Sequence, residues 1–290
     1  MVQKKVTGFD IFLVVILTLM SALFLYPLLS TLAMSVSDSK VLLSSPVYLW
    51  PKGFSLQSYR ALLGDARIGL YYFNTIAYAA VGTLIMLVCT CLMAYPLSFK
   101  SFQGRSFLSV ALTITMFFGG GLIPYYLTIL KLGMINTFWV MVLPGAISAY
   151  NVIIFKTFFM SIPDSLKESA YLDGAGHFRV LMVIVVPLSK ALLATFTLFS
   201  VVGYWNDYLT AFLYLRDDTR YPIQLLLRRL LVLMDYKDPT TAELLRNFTQ
   251  ISTRTTKAAA TVITIVPILC IYPFLQKYFA QGVMVGSIKA

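Results

Sequence analysis

Six long, almost uncharged stretches alternate with polar segments of very unequal length along this chain. They run from Ile11 to Met34, Ile68 to Phe99, Ser106 to Leu130, Leu132 to Phe155, Val180 to Asn206 (with Lys190 inside) and Ala258 to Gln276. A helix rises about 1.5 Å per residue, so roughly 20 apolar residues cross a hydrocarbon core. Each stretch reaches or approaches that length, and the pattern predicts an all-α membrane protein with six transmembrane helices. No internal repeat or linker is evident, so residues 1–290 are expected to form one transmembrane domain.

The polar segments differ in character. Residues 168–187 form a water-compatible hairpin between two apolar runs. Ser165-Leu166-Lys167-Glu168 has capping-box spacing, in which the serine hydroxyl accepts from the Glu168 amide and the Glu168 carboxylate reaches back to Ser165. A helix is expected from about Leu166, and Gly174 can take the left-handed conformation that ends it after about two turns. Ser169 and Ala170 keep its outer surface slim, as entry into a partner's groove requires. The segment from Ser35 to Arg67 holds Pro46, Pro51 and Gly53 among Trp50, Phe54 and Tyr59, the composition of a turn-rich stretch at a membrane interface. From Asp207 to Lys257 the chain has mixed charge. An amphipathic stretch, Pro222 to Leu233, is followed by Asp238-Pro239 and the polar run Asn247 to Thr256, and this segment is the best placed to meet an extracellular partner.

Two irregularities mark the apolar runs. Phe117-Phe118-Gly119-Gly120-Gly121 before Pro124 would break a helix in mid-membrane, which is tolerated only against protein or a water-filled cavity. Phe117, Phe118, Tyr125 and Tyr126 would offer flat faces to sugar rings there, and close helix packing through glycine accounts for the same residues. At the end of the fifth run, Tyr204-Trp205-Asn206-Asp207-Tyr208 gathers groups able to bond hydroxyls (Asn206, Asp207) and to stack (Trp205, Tyr208). An interfacial aromatic belt with a solvated Asp207 accounts for these equally well.

Composition narrows the class. Hydrophobic residues make up 59% and charged residues 12% of the chain, too little polar surface for a soluble globule of this size. The first run has 24 uncharged residues and contains Pro27, which favours a retained span over a cleaved leader. Cys89, Cys91 and Cys270 all fall within expected spans, where a thiol acts as a small hydrophobe, so neither a disulfide framework nor a metal set is expected. His177 reads as a solvated loop residue beside the hairpin. The net charge of +11 is spread over both faces without a dense basic run, which fits a lipid surface and gives no reason to expect nucleic acid. With an inner amino terminus, ten of the 23 Lys and Arg fall inside; eight of the remainder lie in one long loop, where the positive-inside rule is weakest, so charge counting leaves the orientation open.

Glu168, Ala170, Gly174, Ile184 and Pro187 fall on the spacing Glu-Ala-Ala, three residues, Gly, nine residues, Ile, one residue, Leu-Pro, and by it the chain resembles permease subunits of ATP-binding-cassette importers. Ser169 replaces an alanine and Val186 the leucine. The terminal Gly286-Ser287-Ile288-Lys289-Ala290 is similar to the Gly-Ser-Ile-Lys-Gly tail of the maltose-permease G-type branch of carbohydrate importers. The stretch from Phe117 to Tyr126 looks like a sub-branch associated with oligosaccharides and polysaccharide fragments, some containing uronates. The resemblance covers nearly the whole chain. It implies a type I importer (MetI-like) permease fold with a core at about 68–280 and a cytoplasmic coupling loop at about 161–187. In that loop Ser165, Glu168, Ser169, Ala170, Asp173, Gly174, Ala175 and Pro187 would meet the ATPase.

The resemblance further implies a multi-pass protein of the bacterial inner membrane with both termini cytoplasmic. Its partners would be a second, homologous permease, two cytoplasmic ATPase subunits, an extracellular solute-binding protein and membrane lipid. No Gly-x-x-x-x-Gly-Lys-Ser/Thr loop occurs, so the chain is expected to be no enzyme and to carry no cofactor, ATP and magnesium being bound by the partner subunits. The alternatives are an importer permease for a non-sugar solute, a secondary transporter and a membrane enzyme. The second lacks the intramembrane carboxylates that ion coupling needs. The third lacks paired carboxylates, a histidine-rich metal set or a nucleophile with a base.

Overall fold

The computed structural model describes residues 7–44, 48–233 and 254–270. Among these residues the secondary structure is helical, with only an isolated antiparallel bridge between Ser37 and Phe54. Among the described residues two helices are individually long and apolar enough to cross a membrane, Gly8–Ser35 and Ala66–Ser98. Two further pairs qualify only when taken together: Arg105–Phe117 with Leu122–Lys131, bent by 117°, and His177–Leu188 with Lys190–Asn206, bent by 81°. The six expected spans are therefore not six straight helices.

The physical reasons are local. The third run breaks at its glycines, where Gly121 has φ 82° and ψ 170°, a region essentially closed to residues with a Cβ. In the fifth run, Pro187 lacks an N–H and its ring would crowd the carbonyl four residues back. The preceding turn, Leu181–Val185, widens to a five-residue hydrogen-bond spacing, which relieves that crowding. The buried Ser189 then turns its hydroxyl onto the Val185 carbonyl at 2.6 Å, immediately before the bend. The fourth run, Leu132 to Phe155, departs furthest from expectation. Asn136 adopts φ 57°, its amide N–H bonds the Tyr214 carbonyl at 2.8 Å, and its side-chain oxygen accepts from the amides of Arg216 and Asp217 at 3.1 and 3.0 Å. Only a short helix, Trp139–Val142, follows before Pro144 and Gly145, and the long helix is Ala149–Ser161, displaced toward the hairpin.

The chain forms two compact units. One comprises residues 1–69 and 227–267. Its Gly8–Ser35 helix opens with a reciprocal capping box, the Thr7 amide donating to Asp10 at 2.8 Å and the Asp10 amide to the Thr7 hydroxyl at 3.4 Å. The membrane-length stretch of this helix buries nothing, and with apolar side chains on every face it takes lipid as its solvent. Behind it the polypeptide folds back through hydroxyl contacts: Ser35 lies 2.8 Å from Tyr59, and Thr255 lies 2.9 Å from Ser39 and 3.0 Å from Ser58. Of the three aromatics expected at an interface, Trp50 and Phe54 are exposed whereas Tyr59 is held by Ser35.

The second unit, residues 70–226 with 268–290, contains the candidate functional residues. Polar side chains of the Ala66–Ser98 helix tie down residues 219–223. Asn74 donates to the Thr219 and Tyr221 carbonyls at 2.8 and 3.1 Å, Tyr78 donates to the Arg220 carbonyl at 2.8 Å, and the Ile223 amide donates to the Thr75 hydroxyl at 2.9 Å. Phe155, Phe159, Val152, Val180, Val185 and Leu97 form the heart of its core. The amphipathic stretch expected at Pro222 to Leu233 is a helix, Ile223–Leu233, with Ile223, Leu225, Leu227 and Leu230 buried. Asp238-Pro239, residues 247–253, the end of the sixth run and the terminal Gly286 to Ala290 lie outside the described residues.

Candidate functional site

The hairpin begins where Pro163 ends one helix and admits the next. Ile162 and Pro163 are extended, and a nine-residue helix, Asp164–Leu172, starts immediately afterwards. The expected Ser165–Glu168 cap is not formed. Pro163 occupies the cap position without a side-chain bond and the Leu166 amide goes to the Pro163 carbonyl at 3.2 Å, so Ser165 already lies within the first turn. Proline rigidity and the negative Asp164 in the first turn favour this earlier start.

Lys167 anchors the helix from below. The side chain is buried; its ammonium donates to the Phe159 carbonyl at 3.3 Å and to Asp164 at 3.1 Å, and sits 5.5 Å from the centre of the Phe99 ring. Carbonyl, carboxylate and ring face together compensate a charge that burial alone would expel. At the other end the Gly174 amide bonds the Tyr171 carbonyl at 3.0 Å and the Ala175 amide bonds the Ala170 carbonyl at 2.9 Å. This is a Schellman closure, and Gly174 supplies its left-handed residue with φ 78°.

The helix is two-faced. Lys167, Ala170 and Tyr171, three or four positions apart, turn inward, and Ala170, Tyr171 and Ala175 pack on the core. Ala170 therefore thins the inner contact, not the outer surface. Ser165, Glu168, Ser169, Leu172 and Asp173 remain exposed. Glu168 borders a cavity of about 350 Å³ shared with Phe99 and Tyr171, and Leu172 is 89% exposed. Pro187 is exposed but acts on its own helix, as described above.

His177 is exposed, as expected of a solvated residue beside the hairpin, and it also serves as a latch. Its Nδ1 lies 2.8 Å from the Tyr171 hydroxyl, which lies 3.1 Å from that of Tyr95, and the imidazole meets Tyr95, Phe99 and Tyr171 edge to face. The descent after Gly174 is thereby fixed to the end of the Ala66–Ser98 helix.

A second cavity, of about 550 Å³, opens at the Lys190–Asn206 helix. Asn206 and Asp207 line it, whereas Trp205 is 3% exposed with its ring 6.1 Å from that of Tyr72, so the indole packs in the core. Asp207 also caps the Tyr208–Tyr214 helix, accepting from the Thr210 amide at 3.0 Å. Tyr126 stacks on Tyr214 at 5.7 Å and Tyr125 tilts against it at 6.4 Å. Phe117, Phe118 and Tyr208 are exposed and do not line this cavity. Tyr150, Asn151 and Ser200 do, and no motif or spacing marks them, because a lone asparagine in an apolar run reads like any other helix position. Tyr204 reaches the Val142 carbonyl at 3.2 Å only because Gly82 is bare: a Cβ there would stand 2.3 Å from the tyrosine ring.

A family model described as "Binding-protein-dependent transport system inner membrane component" matches residues 77–285. The chain is 37% identical to Protein LplC of Bacillus subtilis, over 97% of this chain and 95% of the relative. It is 36% identical to the polygalacturonan/rhamnogalacturonan transport system permease protein YtcP of the same organism, over 97% and 98%. Among solved structures, a bacterial ABC transporter involved in import of the acidic polysaccharide alginate superposes with a TM-score of 0.86 at 31% identity, covering 93% of this chain and 96% of that one. The permease fold expected from the hairpin spacing is borne out.

Proposed function

Because the chain belongs to the family of binding-protein-dependent transport system inner membrane components, we propose that it is one of two permease subunits through which an ATP-driven importer moves an oligosaccharide or polysaccharide fragment across the membrane. The carbohydrate cargo is supported by relatives named for polygalacturonan, rhamnogalacturonan and alginate. In this reading two ATPase subunits bind ATP and magnesium on the cytoplasmic side, where both termini also lie. A solute-binding protein delivers cargo from outside, and the second permease completes the path.

The observation that carries the coupling role is the Asp164–Leu172 helix, braced by Lys167 below and by the Gly174 closure behind, with Glu168, Ser169, Leu172 and Asp173 facing outward. A spur held by its inner face and bare on its outer face transmits displacement without bending. Seated in an ATPase cleft, it would move as that subunit closes, and the core packed on Ala170, Tyr171 and Ala175 would move with it. Nucleotide and loaded binding protein then act by differential affinity for the inward- and outward-open states.

The test is a cysteine placed at Glu168 in a chain otherwise free of cysteine. In membranes of the assembled importer, Glu168→Cys should cross-link to the nucleotide-hydrolysing subunit, and ATP should change the yield. Labelling of that cysteine from the extracellular side would overturn the assignment. The glycan is identified by asking which oligosaccharide raises ATP hydrolysis by the purified complex.

A further inference from the structure

The cavity of about 550 Å³ is within the range of roughly 300–1,000 Å³ usual for small-ligand sites. Its chemistry is one-sided. Asn151 and Asn206 carry amides whose side chains bond none of the described residues, Tyr150 and Phe199 supply ring faces, and Asp207 supplies a carboxylate. Among the described residues no Lys or Arg lines it. Free amides suit hydroxyls, which both donate and accept, and ring faces suit the C–H side of a pyranose. The carboxylate accepts from a hydroxyl but repels another carboxylate, and no cation among the described residues of this wall offsets the repulsion.

We propose that this cavity is a subsite for a neutral, hydroxyl-bearing sugar unit, with Asn151 and Asn206 as hydroxyl ligands and Asp207 as the residue that disfavours uronates. The inference rests on the carbohydrate reading and deepens it. An acidic polymer passing this wall would have to present its carboxylates to the second permease. At separations of about 6–8 Å and an effective dielectric of about 20–80, the repulsion amounts to a discrimination of about twofold to a hundredfold, with tenfold at the middle of that range.

Saturation-transfer NMR on the intact importer, purified in detergent through a tag on this chain, tests it with galactobiose and digalacturonate added separately. The unmodified complex should bind galactobiose about tenfold more tightly than digalacturonate. Asp207→Asn should bring the two within about threefold, and Asn151→Ala should weaken both. Asparagine caps a helix about as well as aspartate, so the first change leaves the Tyr208–Tyr214 helix intact. Equal binding of the two sugars before mutation, or a ratio untouched by Asp207→Asn, would overturn the role of the carboxylate. If neither sugar binds while the importer still takes up glycans, the subsite is wrong and the carbohydrate reading stands; if no glycan is taken up either, both fall.

Discussion

Gly174 isolates what a single backbone angle contributes. Its φ of 78° suits the Schellman closure, and a Cβ built there meets nothing within 4 Å. Substitution therefore acts through conformation and not through crowding. Alanine should destabilise the folded chain by about 1–2 kcal/mol, the usual penalty of left-handed backbone for an L-residue. Asparagine, which visits that region routinely, should keep uptake within about twofold. Melting of the purified chain and uptake by the assembled importer are the two measurements. Equal loss with alanine and asparagine would mean that the bare backbone itself is needed, by a partner approaching closely. The glycine was legible in the sequence because its role depends only on its neighbours along the chain. Lys167 was not: its anchor comes from Phe159, eight residues back, and from Phe99, which only the fold brings near.

At the scale of elements, apolar length was readable and continuity was not. The runs beginning at Ile11 and Ile68 became the Gly8–Ser35 and Ala66–Ser98 helices. The run from Leu132 to Phe155 is as apolar, yet Asn136 turns the backbone and clamps residues 216–217, a tertiary contact that hydropathy cannot register. The break after Phe117 was visible as a glycine triplet, but its angle of 117° was not. That break offers its own prediction. Gly121, at φ 82° and ψ 170°, occupies a region essentially reserved for glycine, so Gly121→Ala should cost of order 1–3 kcal/mol. The loss should appear as faster proteolysis between the Arg105–Phe117 and Leu122–Lys131 helices, with the Asp164–Leu172 spur unaffected. Unchanged protease resistance would show that the bend tolerates another backbone path.

For the whole molecule, the hairpin spacing was enough to reach the family because it is a local signature of function. The cavity needed the fold, since its walls come from Met86, Asn151 and Asp207, far apart in sequence. The Asp164–Leu172 helix has a further consequence. Leu172, 89% exposed at its tip, is a leucine held out toward water, and an unassembled copy displays it to any protease or chaperone that samples greasy ends. On the proposed assembly, docking would cover this side chain, and an orphaned subunit would be left marked for disposal. Pulse-chase in cells lacking the other subunits should show Leu172→Ser lengthening the half-life about twofold or more, with no such gain once the full complex is present. A half-life indifferent to residue 172 would leave surveillance to some other part of the chain.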